Sequence, residues 1–249
     1  QLLVERGFDK SHIIVCQYND IPDSAQNPFK GQLFHSLEHI NVYIGASAIT
    51  YSGKTVTAQL FYDIVSGKVG LQSTAEDDVF VYYDNHGGPG ILSVPSGNPG
   101  GYIKEAQLAE AFKELEDKKM YRNLFFMIGA CYSLSMTPNI KNKNMAIITS
   151  ANERESAYAC TYDPEVRAYL TNEFNLNFDL IARQYPDITI GEFFKKMVES
   201  NKKSHVSFAG DESVKALKLS TFIGEADNKR PKIATKNTVT DTADPITAT

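Results

Sequence analysis

Several features that would assign this chain to a common class of protein are missing from its sequence. Its 249 residues include three cysteines, which are too few and too widely spaced for a disulfide framework or a CxxC zinc site. No apolar run approaches the roughly 18 residues that a membrane-spanning helix needs. No Asn-x-Ser/Thr glycosylation acceptor occurs, so composition alone does not distinguish a secreted protein from a cytosolic one. We therefore expect no metal, no cofactor and no membrane span.

Basic charge and one common hydrolase motif are also lacking. The formal net charge is −5, and the lysines are scattered rather than grouped with aromatic side chains. We therefore do not expect a nucleic-acid partner. A Gly-x-Ser-x-Gly elbow does not occur, which disfavours a hydrolase built on a Ser/Asp/His triad.

Short apolar runs alternate with amphipathic stretches along most of the chain. The apolar runs are rich in β-branched and aromatic residues and predict strands at 12–18, 78–83, 123–128, 145–149 and 205–208. The amphipathic stretches predict helices at 56–65, 104–120, 165–184 and 189–203. Residues 19–53 have little periodicity and predict a long surface loop. We therefore predict one α/β domain over residues 1–224, with a mainly parallel sheet flanked by helices on both faces.

The two ends of the chain differ from this pattern. Residues 225–249 are dominated by Thr, Ala, Asp, Lys and Pro without apolar periodicity, so they bury too little surface to offset their ordering entropy. We expect a flexible linker or a processed tail there. Gln1–Gly7 predicts the last turns of a helix that leads into the strand at 12–18, and such a helix normally follows another strand.

Two of the predicted strands end in reactive side chains. His86 follows the strand at 78–83, and Cys131, 45 residues later, follows the strand at 123–128. A strand, helix, strand crossover of this length makes the two strands parallel neighbours or near neighbours, so we expect both side chains at one sheet edge. An imidazole there can hold a thiolate and later protonate a leaving amine. The Gly87 N–H could join that of Cys131 in an oxyanion hole.

Structural roles compete with catalytic ones for the cysteines and histidines. A cysteine at a strand end is often a small buried hydrophobe rather than a nucleophile, and we expect Cys16 and Cys160 to be structural. The remaining histidines lack the glycine-rich context of His86. We expect these to be surface or hydrogen-bonded residues: His12, His35, His39 and His205.

Three blocks of the sequence resemble the legumain (asparaginyl endopeptidase) family of cysteine proteases. They are Asp78-Val-Phe-Val-Tyr-Tyr-Asp-Asn-His86-Gly87, Lys119 to Met136 around Cys131, and Ser150-Ala-Asn-Glu-Arg-Glu-Ser-Ala-Tyr-Ala-Cys160-Thr-Tyr-Asp163. The resemblance runs in order from Gln1 to about Gly224. It implies the caspase-like α/β sandwich fold and peptide hydrolysis after Asn, less readily after Asp, through an acyl-enzyme. Cys131 would be the nucleophile, His86 the acid/base and Gly87 an oxyanion residue.

Two alternatives to hydrolysis stay open. The related catalytic subunit of the GPI transamidase has a similar His-Gly-Gly motif, so transpeptidation or peptide ligation is one alternative, although the third block favours legumain. The other is a non-catalytic scaffold with a degenerate specificity pocket. The family's first strand, which helps to shape that pocket, would lie before Gln1.

The expected specificity pocket departs from the family pattern. The family usually has Glu where Gly129 stands and an acidic residue where Asn172 stands. Of two neighbouring serines, Ser156 is kept and the next residue is Ala157. A pocket without carboxylates would hold an Asn side chain through fewer charge-assisted hydrogen bonds, so we expect a less strict preference for Asn.

The resemblance also implies partners, processing and location. Peptide or protein substrates are expected, and the prodomain of the enzyme or a cystatin-type inhibitor are candidate partners. Residues 225–249 resemble the start of the activation segment of a zymogen, in which Asn228 and Asn237 are candidate self-cleavage points. The family implies a lysosomal or endosomal compartment, or secretion.

Overall fold

The structure is a computed structural model that describes residues 1–225. The predicted tail beyond residue 225, with the candidate self-cleavage points Asn228 and Asn237, lies outside the described residues. Within the described range the strands are β1 (Cys16–Gln17), β2 (Tyr51–Ser52), β3 (Asp78–Asp84), β4 (Gly87–Gly88), β5 (Ile91–Leu92), β6 (Ile103–Lys104), β7 (Asn123–Gly129), β8 (Met145–Thr149), β9 (Ala159–Asp163), β10 (Ala168–Asn172) and β11 (Ser207–Gly210).

Three of the α-helices described within residues 1–225 begin at a residue whose side chain caps the helix. Thr57 accepts a hydrogen bond from the backbone N–H of Leu60, and Thr189 forms a capping box with Glu192. The α-helices of residues 1–225 are α1 (Leu2–Glu5), α2 (Ala58–Val65), α3 (Glu105–Asp117), α4 (Glu173–Gln184), α5 (Ile190–Ser200) and α6 (Ser220–Ile223). None of them combines the length and the apolar character that a membrane crossing requires.

The central sheet has the strand order β11, β8, β7, β3. β3, β7 and β8 are parallel, and β11 is antiparallel to β8. The other paired strands form three small sheets: β1 with β2, β9 with β10, and β4, β5 and β6. The mainly parallel arrangement of the central sheet confirms the predicted fold class.

Alternate residues of β7 face two hydrophobic clusters on opposite sides of the sheet. Leu124, Phe126 and Ile128 pack with residues of α2 and α3. Phe125 and Met127 pack with residues of α4, α5 and α6. All five side chains are fully buried, which explains why this strand is apolar throughout. Helices therefore cover both faces of the sheet, as predicted.

The prediction of a buried strand over residues 12–18 is wrong in extent. Only Cys16 and Gln17 pair, in parallel with Tyr51 and Ser52. Cys16 is exposed, so its predicted role in the core is wrong as well. Within residues 1–225, β1 has a partner on one side only, and a strand paired on one edge gains little burial for its apolar side chains.

The prediction of a helix over 165–184 is wrong in its first part, because residues 168–172 form β10, antiparallel to β9. The carboxylate of Asp163 accepts hydrogen bonds from the backbone N–H groups of Glu165 and Val166 at 2.7 and 3.1 Å. Arg167 takes a positive φ of 59°. This local turn chemistry reverses the chain, and it outweighs the helical periodicity of the side chains.

Candidate active site

His86 and Cys131 follow two strands that are direct neighbours. β3 and β7 pair in parallel, and Asp84, the last residue of β3, lies opposite Gly129, the last residue of β7. His86 and Cys131 each come two residues further on. Both therefore leave the carboxyl edge of the sheet side by side, where ligands bind in open α/β folds. The predicted placement at one sheet edge is confirmed.

The turn after His86 is fixed from below by a tyrosine. The hydroxyl group of Tyr83 donates to the carbonyl of His86 at 2.9 Å and lies 2.7 Å from the carbonyl of Ser93. The backbone N–H of Ser93 also donates to the carbonyl of His86, at 3.0 Å. These hydrogen bonds fix the backbone position of His86, while the residue itself stays exposed to solvent.

Gly87 packs directly against the backbone of Cys131. A Cβ atom at residue 87 would lie 2.4 Å from the carbonyl oxygen of Cys131 and 2.9 Å from the Cβ of Ala130. Both distances are far shorter than van der Waals contact, and neither neighbouring atom belongs to a flexible side chain. Only glycine therefore allows the turn to come this close to Cys131.

The thiol of Cys131 lies beneath residues 150–157, which we call the covering segment. Cys131 is fully buried, and its Sγ atom accepts a hydrogen bond from the backbone N–H of Ala157 at 3.2 Å. The backbone N–H of Tyr132 donates to the carbonyl of Glu155 at 2.8 Å. Ala157 therefore lies directly against the sulfur atom.

Two serines tie the start of the covering segment to the turn that carries Cys131. The hydroxyl group of Ser150 accepts a hydrogen bond from the backbone N–H of Ala130 at 2.9 Å. The hydroxyl group of Ser133 accepts one from the backbone N–H of Ala151 at 3.1 Å. The start of the segment is therefore anchored on both sides of Cys131.

At the same sheet edge, the carboxylate of Asp84 contacts two of the predicted pocket residues, Gly129 and Asn172. Its Oδ1 atom accepts a hydrogen bond from the amide of Asn172 at 2.8 Å. Its Oδ2 atom accepts one from the amide of Asn175 at 2.5 Å. A Cβ atom at Gly129 would lie 2.7 Å from the Oδ1 atom of Asp84. Asp84 therefore occupies the space above Gly129, so a carboxylate lies against two of the positions expected to shape the pocket, and the expected looser preference for Asn stays a prediction.

The amides around Asp84 are held in place by their own oxygens. Asn172 is the N-cap of α4, and its Oδ1 atom accepts from the backbone N–H of Asn175 at 2.8 Å. The Oδ1 atom of Asn175 accepts from the hydroxyl group of Tyr82. With their oxygens engaged in this way, both amides turn their N–H groups toward Asp84. The positive end of the α4 dipole also lies on this side of the carboxylate.

Asp84 combines solvent access with an altered acidity. The residue is exposed, yet desolvation of its carboxyl group by the surrounding protein raises the pKa of that group to about 6. The hydrogen bonds from Asn175 and Asn172 oppose the rise. A carboxyl group with a perturbed pKa, at the sheet edge from which the chain continues to Cys131, is a candidate functional group.

The structure brings some predicted site residues together and adds two that were missed. Gly87 and Ala157 contact Cys131. Gly129 and Asn172 contact Asp84. Ser156 is half-buried within the covering segment. Asp84 could have been found from the register of two parallel strands, since it pairs with Gly129. Asn175 could not, because it depends on α4 beginning at residue 173.

Several of the other cysteine and histidine side chains have structural contacts, and that of His205 is with the covering segment. Cys160 is buried in β9, as its predicted structural role requires, and burial raises the pKa of its thiol. His39 is hydrogen-bonded to Asp163, and His205 to Glu155 at 2.8 Å, which confirms their prediction as hydrogen-bonded residues. The side chains of Cys160, His39 and His205 thus each have a hydrogen-bond partner within the fold.

The fold and this sheet edge define an α/β protein whose candidate site offers a thiol and an imidazole on neighbouring strand ends. A model of the peptidase C13 family matches residues 1–225, and the chain belongs to that family. The chain is 32% identical over 238 residues to legumain from Bos taurus and to legumain from Homo sapiens, which covers 90% of this chain and 54% of each relative. It is 31% identical over 234 residues to hemoglobinase from Schistosoma japonicum, with 90% and 54% coverage. The chain thus spans about half the length of the curated relatives it matches.

Proposed function

We propose that the chain is the catalytic domain of a cysteine endopeptidase that cleaves peptide bonds after Asn and less readily after Asp. Membership of the peptidase C13 family supports this function. The observation that carries it is the contact between the turn after His86 and the backbone of Cys131, which only Gly87 permits. Peptides or proteins would be the substrates.

In the proposed reaction the Sγ atom of Cys131 attacks the carbonyl carbon of the scissile peptide bond. His86 takes the thiol proton and delivers it to the leaving amine, which breaks the C–N bond and leaves a thioester. The N–H groups of Gly87 and Cys131 would hold the oxyanion of the tetrahedral intermediate. Water then attacks the thioester, His86 removes the proton of that water, and the thiol is regenerated.

The position of Ala157 adds a step before the chemistry. Its N–H group donates to the Sγ atom of Cys131, which is fully buried, so binding of a substrate must displace this residue. The displaced N–H group would then be free to bind the substrate. The same acyl-enzyme could pass to an amine instead of water, and added amine nucleophile would reveal such transpeptidation as a ligated product.

Replacement of the nucleophile tests the proposal. Cys131→Ala is expected to abolish turnover of a fluorogenic peptide with Asn before the scissile bond. Cys16→Ala is the matched control, because Cys16 is exposed and lies on another sheet, and it is expected to keep the wild-type rate. Equal turnover by the wild type and Cys131→Ala would contradict the proposal, and so would a folded wild type that cleaves no peptide.

Family resemblance supplies further proposals that concern the complete protein. A prodomain or a cystatin-type inhibitor would cover the Cys131 edge, cleavage at Asn228 or Asn237 would accompany activation, and the compartment would be lysosomal or endosomal. Mass spectrometry of the incubated full-length protein tests the cleavage points, since it would detect new chain ends at these two residues.

A further inference from the structure

The carboxylate of Asp84 lies where a substrate side chain would enter the proposed active site. It ends β3 two residues before His86 and lies opposite Gly129, which ends β7 two residues before Cys131. The neighbouring backbone carries the proposed nucleophile and the proposed acid/base. A side chain next to the carbonyl that Cys131 attacks would therefore meet the region of Asp84.

The lack of a side chain at Gly129 is what gives Asp84 this position. A Cβ atom there would lie 2.7 Å from the Oδ1 atom of Asp84, so any other residue would push the carboxylate aside. The two positions act as a pair on neighbouring strands, in which one residue supplies the carboxylate and the other supplies the room for it.

The carboxylate keeps acceptor capacity for a ligand. An ionised carboxylate has about four acceptor positions, and the amides of Asn172 and Asn175 take one on each oxygen. The oxygens of both amides already accept hydrogen bonds, from the backbone of Asn175 and from Tyr82. A donor on a substrate would therefore find its acceptor on Asp84 rather than on either amide.

We propose that Asp84 determines substrate specificity by accepting a hydrogen bond from the side-chain amide of the residue whose carbonyl Cys131 attacks, and by repelling an acidic side chain there. This inference rests on the proposed function. It identifies the recognised group as a neutral side chain with N–H donors. It also places the recognising carboxylate on β3, whereas Gly129 and Asn172, the two pocket positions considered from the sequence, carry none.

The charge around Asp84 favours a donor over an acid. Within residues 1–225, its carboxylate is hydrogen-bonded by two neutral amides and by no cationic side chain. The titratable groups near it are Tyr82, Tyr83 and His86 on its own strand and turn, and Cys131 beyond β7. From α4 come Glu173, whose carboxylate accepts from the backbone N–H groups of residues 202 and 203, and Asp179, which lies near Tyr82.

Selectivity between two peptides isolates Asp84 from the other titrating groups. The full-length protein is assayed on peptides that differ only in Asn or Asp before the scissile bond, between about pH 5 and pH 8, where a free Asp side chain with a pKa near 3.9 is largely ionised. The ratio of the two kcat/KM values cancels any effect of pH on Cys131 and His86, because both peptides need these two residues. This ratio is expected to rise with pH through about 6, as Asp84 ionises.

Asp84→Asn is expected to lower the Asn-to-Asp ratio of kcat/KM at pH 7 by roughly tenfold to a hundredfold, because one hydrogen bond to a charged group is lost. The substitution is also expected to remove the pH dependence of this ratio. Asp78→Asn is the matched control, because Asp78 is the first residue of the same strand and pairs with Arg122 away from the site; it is expected to keep the wild-type ratio. A wild type with the same ratio and pH dependence as Asp84→Asn would overturn this inference alone. A wild type that cleaves neither peptide would overturn the proposed function with it.

Discussion

Replacement of Gly87 by alanine tests whether close packing of the His86 turn on Cys131 is needed for activity. The added Cβ atom would lie 2.4 Å from the carbonyl oxygen of Cys131, about 1 Å closer than an ordinary contact of 3.4 Å. Because Gly87 is not among the residues with positive φ, alanine brings no backbone strain of its own, and the effect is one of contact. The turn that carries His86 must move away from Cys131.

A shift of about 1 Å between catalytic groups can cost on the order of a hundredfold in rate, and overpacking of this kind costs about 1–3 kcal/mol in stability. We therefore expect Gly87→Ala to stay folded at 25 °C while its kcat falls by about two orders of magnitude. Steady-state kinetics on the Asn peptide and urea unfolding measure the two effects separately.

Gly88→Ala is the control for this substitution. A Cβ atom at residue 88 would contact only the flexible side chain of Ile91, at 3.3 and 3.5 Å, so we expect at most a small loss of activity. Wild-type kcat in Gly87→Ala, or an equal loss in Gly88→Ala, would refute the argument that the contact with Cys131 positions the site.

Two other perturbations follow from contacts near the site. Asn172→Ala removes the N-cap of α4 and one hydrogen bond to Asp84. We expect a stability loss of about 0.5–2 kcal/mol, measured by thermal unfolding, and a further rise in the pKa of Asp84. Unchanged stability would contradict the capping role of Asn172. Burial by itself would raise the pKa of Asp163, but hydrogen bonds, that of His39 first, lower it overall. The stabilisation that Asp163 provides is therefore expected to be complete above its unfolded-state pKa near 3.9. It should disappear as the pH falls through the lower folded-state pKa. Urea unfolding of the wild type and of Asp163→Asn between pH 3 and pH 7 should show two free energies of unfolding that converge toward acid.

The sheet edge with His86 and Cys131 could be predicted from the sequence because β3 and β7 are rich in apolar residues and β7 is buried on both faces. A strand buried on both faces has an uninterrupted apolar run, as in Leu124 to Ile128, and one helix between two parallel strands leaves little choice of topology. The glycines after His86 also indicated a close backbone approach, and Gly87 makes one.

The β9–β10 hairpin could not be predicted in the same way. Val166, Leu170 and Phe174 are spaced as on a helix, and the reversal of the chain depends on side-chain contacts of Asp163 with the backbone. The carboxylate above Gly129 could not be predicted from the pocket positions Gly129 and Asn172 alone, because Asp84 comes from the neighbouring strand and is related to Gly129 only through the register of β3 and β7.

The thiol itself offers the most direct measurement of the central claim. A peptide with Asn next to an electrophilic warhead is incubated with the full-length protein, and the modified residue is located by mass spectrometry. Cys16 is exposed and Cys131 is fully buried, so labelling governed by exposure and labelling governed by catalysis have opposite outcomes. We predict modification of Cys131, at a rate that falls by about two orders of magnitude in Gly87→Ala. Modification of Cys16 with Cys131 untouched would contradict the assignment of Cys131 as the nucleophile.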